Sequence, residues 1–322
     1  MSTLTCPDPL PSPAEDCERL HKAFEGWGTD EGSIISVLAH RPAAHRSQIR
    51  RVYAEIYGVD LLKPLDKELT RDFEVASSRS RAVLLWAVDS AERDAVLANE
   101  VVRKWSPENR VLIEIAVVRT AEELLAARRA YQNRFKRCLE EDVAGSTHGD
   151  FRKLLVPLVS TFRYEGAEVN TSLAKTEAKL LNQKIKDNDY SHEDVIRILT
   201  TRSKMQLLAT FDDYNNAFGN PINKDLKSDP TNQFLLALRA IVRCITCPQR
   251  YLEKVMRLSI SKMGTDEGAL TRIITTRAEV DMQQIKEEYY KRNSVRLEQA
   301  VKKDTTRDYE DFLLALVGQV DA

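Results

Sequence analysis

Residues 24–31 read Phe24-Glu25-Gly26-Trp27-Gly28-Thr29-Asp30-Glu31, and residues 262–267 read Lys262-Met263-Gly264-Thr265-Asp266-Glu267. Glycines at a tight turn let the backbone take positive φ and bare its carbonyls. Ca²⁺ takes six to eight hard oxygen ligands and accepts backbone carbonyls readily, so such a loop is half of a calcium site. The other half must be a carboxylate brought from elsewhere in the chain. Apolar residues at helical spacing follow each loop, Ile34, Ile35 and Leu38 in one case and Leu270, Ile273 and Ile274 in the other. The T-D-E triplet therefore also reads as a helix start, with Thr or Asp as N-cap and acids countering the helix dipole.

The distant acid emerges from an internal ruler. Arg41, Arg119, Arg202 and Arg277 each follow an apolar helical run, 75 to 83 residues apart. Twelve residues after each stands a tyrosine (Tyr53, Tyr131, Tyr214, Tyr289), and thirty-two after each an aromatic (Phe73, Phe151, Phe234, Tyr309). Four units with this period hold several helices each rather than two. Fifteen and thirteen residues before the arginines stand Gly26 and Gly28, Lys104 and Ser106, Asp187 and Asp189, and Lys262 and Gly264. Twenty-seven residues after them stand Glu68, Ser146, Asp229 and Asp304. An acid accompanies each glycine loop, the second unit lacks both, and the third keeps the acid without the glycines, which weakens the correlation without reversing it. Carbonyls of Phe24, Gly26 and Gly28 with a bidentate Glu68 give five ligands, leaving positions open to water or an external anion. In the third unit Asp187-Asn188-Asp189 resembles the start of an EF-hand, but His192 replaces the required glycine and Ile198 the required glutamate, so that reading fails.

The elements that must position these groups read as helical throughout. Phe234, Leu235, Leu238, Ile241, Val242 and Ile245 fall on one helix face, breakers such as Pro42, Gly58 and Pro64 punctuate between runs, and no segment alternates with period two. The expected fold is all-α, four homologous units of about five helices each. The expected boundaries are a tail over 1–13, units over 14–85 and 86–160, a connector over 161–175, and units over 176–246 and 247–322. The connector is the longest between units and is expected to separate two pairs of them. The Arg46, Arg50, Arg51 cluster reads most simply as a solvated helix face, with phosphate contact as the alternative.

Several function classes recede. With 48 basic against 49 acidic residues, no global field points to nucleic acid. No apolar run is long enough for a membrane-spanning helix. Five cysteines without histidines at metal spacing fit reduced thiols of a cytosolic protein. Met1 to Pro13 lacks a basic-then-apolar pattern, is not a signal peptide, and reads as a tail laid over the surface. No G-x-x-x-x-G-K-[ST] cradle exists for nucleotide hydrolysis, and the expectation is a protein that is not an enzyme.

The four-unit ruler, the G-x-G-T-D-E loop, the distant acid and the long middle connector resemble the annexins over about Ala14 to Ala322. Glycine loops in the first and fourth units only, a short tail, and Leu84-Leu85-Trp86 followed by Glu92-Arg93-Asp94 are similar to plant annexins in particular. The resemblance implies a slightly curved disc of four five-helix repeats whose calcium loops dock to anionic, phosphatidylserine-like phospholipid. It implies Ca²⁺ held by Phe24, Gly26, Gly28 and Glu68, and by Ile260, Lys262, Gly264 and Asp304, with lipid phosphate completing the shell. Lys262 departs from the glycine pattern. Positive φ there is strained, ranking that site second, although a cation so placed could itself meet a phosphate. Trp27 either enters the headgroup layer or packs against the second loop of its own unit. A hydrophilic central passage is also implied, with Asp89, Glu92, Arg119 and Arg277 at the matching positions, where structural ion pairs are an equal account.

The same resemblance implies a monomer in solution that assembles on membranes, in the cytoplasm and reversibly attached. His40 stands where a peroxidase-like role has been discussed for plant relatives, but one histidine at a helix end is not a haem pocket. Ile196-Arg197-Ile198 is similar to a short actin-binding pattern of some relatives, with core packing the better account. An all-α interaction scaffold with little metal dependence is the alternative class.

Overall fold

The computed structural model describes residues 1–25, 30–65, 78–104, 109–260 and 265–318, with the side chains of 78 and 79 outside that description. Described residues are helical almost throughout, with no strand among them. In chain order the helices are α1 Pro13–Glu25, α2 Glu31–Leu38, α3 Ala43–Tyr57, α4 Ser78–Ala87, α5 Ser90–Val102, α6 Asn109–Val118, α7 Ala121–Phe135, α8 Leu139–Ser146, α9 Gly149–Ser160 and α10 Thr171–Lys186. They continue as α11 Glu193–Thr201, α12 Lys204–Phe218, α13 Ile222–Asp225, α14 Gln233–Thr246, α15 Pro248–Ile260, α16 Glu267–Arg277, α17 Met282–Asn293, α18 Leu297–Asp304 and α19 Arg307–Val317. Repeats two, three and four thus have five helices each, as the ruler predicts.

The ruler residues have physical work in every repeat. The third helix of each ends seventeen residues after the anchor arginine on a left-handed residue: Gly58, Lys136, Gly219 and Ser294, with φ of 69°, 58°, 71° and 56°. That conformation closes the last turn, and glycine adopts it without cost at two of the four. The anchor arginines hold acids twenty-five residues upstream on the first helix of their own repeat. Arg41 grips Asp16 at 2.6 and 2.7 Å, and Arg119 grips Asp94 at 2.6 and 2.8 Å. Arg202 reaches Glu177 at 2.8 Å. In repeat four that position is Leu252, and Arg277 turns to Asp281 at 2.7 Å. The ruler tyrosines are buried, and their burial raises the hydroxyl pKa to about 12 for Tyr53 and Tyr131. Tyr53 bonds His21, Tyr131 bonds Asn99, and Tyr214 bonds Asn182, each thirty-two residues upstream.

The helices gather into two bodies, Met1–Arg93 with Leu252–Ala322, and Asp94–Tyr251. This corrects the expectation that the connector separates pairs of repeats. Repeats one and four share the first body, two and three the second, and the connector runs inside the second. Apolar faces decide the pairing, not connector length. In the second body α6 packs against α14 and α9. In the first, α16 and α19 pack against α4, whose Trp86 is fully buried and donates from Nε1 to the Leu38 carbonyl at 2.8 Å.

The basic cluster is also corrected. Arg46 is buried, stacks 3.7 Å from the Trp86 ring centroid and pairs with Glu279 at 2.8 Å. Arg50 pairs with Asp60 and Glu92, leaving Arg51 as the exposed member. The 3.6-residue period places Arg46 and Arg50 on one face with Ile49 and Tyr53, which is the buried face. In the connector, Arg163 donates to the Leu199 and Arg202 carbonyls at the C-terminal end of α11. Burial pushes its guanidinium down to about 10, so it remains a cation complementing the helix dipole at neutral pH.

The tail lies on the first body. Thr3 N donates to Ala278 O at 2.9 Å, Thr3 Oγ1 to Leu316 O at 2.7 Å, and Gln283 N to Met1 O at 3.3 Å. Gly318 makes this approach possible: its φ is +78°, and a Cβ there would stand 2.3 Å from the Thr3 carbonyl oxygen. Gly318→Ala should cost about 1–2 kcal/mol from left-handed strain alone. It should also release the tail, read as faster exchange of the Thr3 amide. Unchanged exchange with unchanged thermal stability would refute the docking.

Candidate functional site

Both glycine loops leave the end of one helix and return to the start of the next. Gly26, Trp27 and Gly28 of the first, and Lys262 and Gly264 of the second, lie outside the described residues, as does Glu68. Their flanks are described, and they match. Asp30 N donates to Ala23 O at 3.2 Å, and Asp266 N donates to Ser259 O at 2.9 Å, so each loop is closed by the same backbone bond. Asp30 accepts from Ser33 N and Asp266 from Ala269 N, each at 3.0 Å, which caps α2 and α16. The helix-start reading of T-D-E is therefore correct for its aspartates.

The fourth repeat brings the distant acid to its loop. Asp304 ends α18, thirty-nine residues from Thr265, yet Thr265 Oγ1 lies 2.6 Å from Asp304 Oδ2 and 2.9 Å from Asp304 O. Ile260, the last residue of α15, leads into the same loop. Sequence reasoning missed Thr265; the signal was its place in T-D-E, where a hydroxyl can hold the acid's second oxygen. In the first repeat Phe24 lies in the last turn of α1 with its ring edge-on to Tyr53, centroids 6.3 Å apart.

The other two repeats depart as their sequences suggest. In repeat three Asp229 accepts from Thr231 N and Oγ1 at 2.9 and 2.7 Å, bonds that lower its pKa, while Asp189 pairs with Lys184 at 3.4 Å. In repeat two Ser146 takes the acid's place beside a cavity of about 440 Å³ lined with Arg103 and Arg137. Among the described residues, no three His, Cys, Asp or Glu side chains gather as a metal cluster.

The remaining candidates have identifiable partners. Asp89 Oδ1 accepts from Glu92 N at 2.7 Å at the start of α5, and Glu92 pairs with Arg50. Arg119 and Arg277 hold Asp94 and Asp281. His40 Nδ1 meets the Thr5 carbonyl at 2.9 Å, which makes it a tail contact. Ile196 and Ile198 are buried, and Arg197 pairs with Asp194 at 2.8 Å, as packing and surface pairing require. None of the five cysteines is joined in a disulfide.

Comparison with known proteins agrees with this architecture. The annexin family profile matches residues 15–77, 93–158, 176–241 and 251–316, one match for each repeat. Annexin Gh1 of Gossypium hirsutum is 59% identical over 320 residues, covering 99% of this chain and 100% of that one. The solved structure of annexin III is similar with a TM-score of 0.89 at 31% identity, covering 99% and 98% of the two chains. A calcium-bound annexin (Sm)1 gives 0.82 at 25% identity, covering 100% and 94%. With one profile match on each ruler unit and a full-length plant relative, this chain belongs to the annexin family.

Proposed function

We propose that this annexin binds anionic phospholipid membranes through Ca²⁺ held at the loops of repeats one and four, with lipid phosphate completing the ion's shell. The observation that carries the reading is the contact of Asp304 with Thr265, thirty-nine residues apart, which sets a carboxylate beside the fourth loop. Thr265 occupies Oδ2, and the partner oxygen of the same carboxylate is a hard donor of the kind Ca²⁺ selects. Ile260, Lys262 and Gly264 would add carbonyls there, as Phe24, Gly26 and Gly28 would beside Glu68 in repeat one. The chemistry fits: carbonyls and one carboxylate per loop suit a hard divalent ion, whereas a soft metal would call for thiolate or imidazole.

An ion so held supplies positive charge to a chain whose own charge is −1. The cytoplasmic leaflet carries a negative surface potential, and a bridging cation converts it into attraction. Phosphate and calcium then raise each other's affinity by the same factor, which makes attachment reversible. Among the described residues no helix is long and apolar enough to cross a membrane, in keeping with peripheral binding. Trp27, between the two glycines in sequence, carries an indole of the kind that suits the headgroup level. For Asp89, Glu92, Arg119 and Arg277 we favour structural ion pairing and capping over ion conduction, because each has a partner of its own.

Co-sedimentation with phosphatidylserine vesicles tests the reading. The protein should pellet in calcium and stay in the supernatant when chelator is added to the same tube. Pelleting that ignores calcium would sink it.

A further inference from the structure

Counted from the anchor arginines, the repeat-two cavity occupies the position at which repeats one and four place loop and acid, and its charge is inverted. It lies between the last turn of α5 and the last turn of α8, and is lined by Asn99, Val102, Arg103, Phe135, Arg137, Asp142, Gly145 and Ser146. Where repeat one has Glu25, Val59 and Glu68, repeat two has Arg103, Arg137 and Ser146. One acid has become a guanidinium, an apolar residue a second guanidinium, and the metal's carboxylate a hydroxyl.

The guanidinium groups are available to a ligand. Arg103 is exposed and makes no ion pair among the described residues. The one lining carboxylate, Asp142, is already engaged: Oδ2 accepts the Tyr131 hydroxyl at 2.6 Å and Oδ1 accepts Arg137 Nε at 2.6 Å. That pairing fixes Arg137 in place and occupies Nε and Nη2, leaving the Nη1 hydrogens. Glu141 is the further acid felt by Arg137. Ser146 Oγ donates to Val143 O at a long 3.3 Å, a bond that a better acceptor would replace. A cavity of about 440 Å³ has the volume of a small-ligand site. One guanidinium held by Asp142, a second that is exposed, and a hydroxyl form a donor set for phosphate, and arginine is the side chain suited to bidentate contact with it.

We propose that repeat two binds a phosphate group directly, without metal, with Arg103 and Arg137 taking the place of the cation used in repeats one and four. The ligand is a phosphomonoester or phosphodiester, either free in solution or the headgroup of an anionic lipid; the second source rests on the membrane reading above. Such a site would hold the protein loosely on an anionic surface before calcium arrives.

The test uses the full-length protein in chelator. Titration calorimetry with inorganic phosphate reads the free ligand, and co-sedimentation with vesicles of phosphatidylserine and phosphatidylcholine reads the lipid. Arg103→Glu should weaken whichever signal the wild type gives by about tenfold or more, the loss expected for a charge-assisted hydrogen bond to a charged group. Ser146→Asp should do the same by returning an acid to the cavity. Lys175→Glu, an equal charge change on exposed α10, should not. Phosphate heat without vesicle binding assigns a free ligand, and vesicle binding assigns a headgroup. Neither signal in the wild type, or signals that Arg103→Glu and Lys175→Glu alter equally, overturns the proposal. Calcium-stimulated pelleting should survive Arg103→Glu. Its absence in the wild type would instead count against the membrane reading alone.

Discussion

Glu68→Gln should raise the calcium needed for half-maximal vesicle binding by at least an order of magnitude, and Asp304→Asn should raise it less. An amide keeps the volume and one oxygen of the acid but removes the charge that draws a hard divalent ion, and it cannot bind bidentately through two oxygens. Glu68 is expected to act beside a loop with both glycines, whereas Asp304 serves one whose first glycine is Lys262. A lysine in a glycine's place is expected to make the poorer carbonyl loop, so losing the acid of repeat four should remove less. Thr265→Val gives the finer test. It leaves every proposed ligand in place and removes only the hydroxyl 2.6 Å from Asp304 Oδ2. A group that orients a metal ligand typically changes affinity by about 10- to 100-fold. Thr265→Val should therefore abolish the repeat-four contribution while leaving that of Glu68. Equal midpoints for wild type, Glu68→Gln and Asp304→Asn would remove the acids from the account of binding.

Some of this was legible in the sequence, for reasons that differ by residue. The all-α character and five-helix repeats follow from periodic apolar runs and punctuating breakers, which are local properties. The nearness of acid and loop flank in repeat four was legible because four copies of one ruler supply an internal alignment, and Asp304 there lies against Thr265. The grouping of repeats was not legible. Pairing one with four depends on how α4 meets α16 and α19, a tertiary choice that connector length does not encode. Arg46 shows the same limit at one residue. Three arginines in six positions suggest a wet surface, yet Arg46 is buried over Trp86 because the indole face and Glu279 together compensate its charge. The inverted charge of repeat two was visible residue by residue as Arg103, Arg137 and Ser146. That they line one cavity depends on α5 and α8 ending side by side.

The anchor arginine carries the second large prediction. Asp16→Ala should destabilise the protein by about 3–5 kcal/mol, the range found when one partner of a buried ion pair is removed. Both side chains are out of water, Asp16 at 0% and Arg41 at 2% exposure, and the pair is bidentate. His45 Nε2 lies 3.1 Å from the same carboxylate, so removal strips a second partner as well. What would be lost is not the worth of the salt bridge, since desolvation offsets much of the attraction in the intact pair. The cost arises because Arg41 cannot shed its proton and would stand charged in the core, met among the described residues by the His40 carbonyl at 3.0 Å. The double variant Asp16→Leu with Arg41→Met should therefore recover most of the stability, because no charge is then stranded. The same logic separates the repeats. Arg277 answers Asp281 one turn along the chain, and both side chains are buried but 8% exposed rather than wholly sealed. Water reaches such a site more readily, so Asp281→Ala should cost clearly less than Asp16→Ala. Urea unfolding of the three variants beside the wild type measures all of this. If Asp16→Ala costs under about 1 kcal/mol, or the double variant falls as far as the single, the arginine ruler marks the repeats without holding them together.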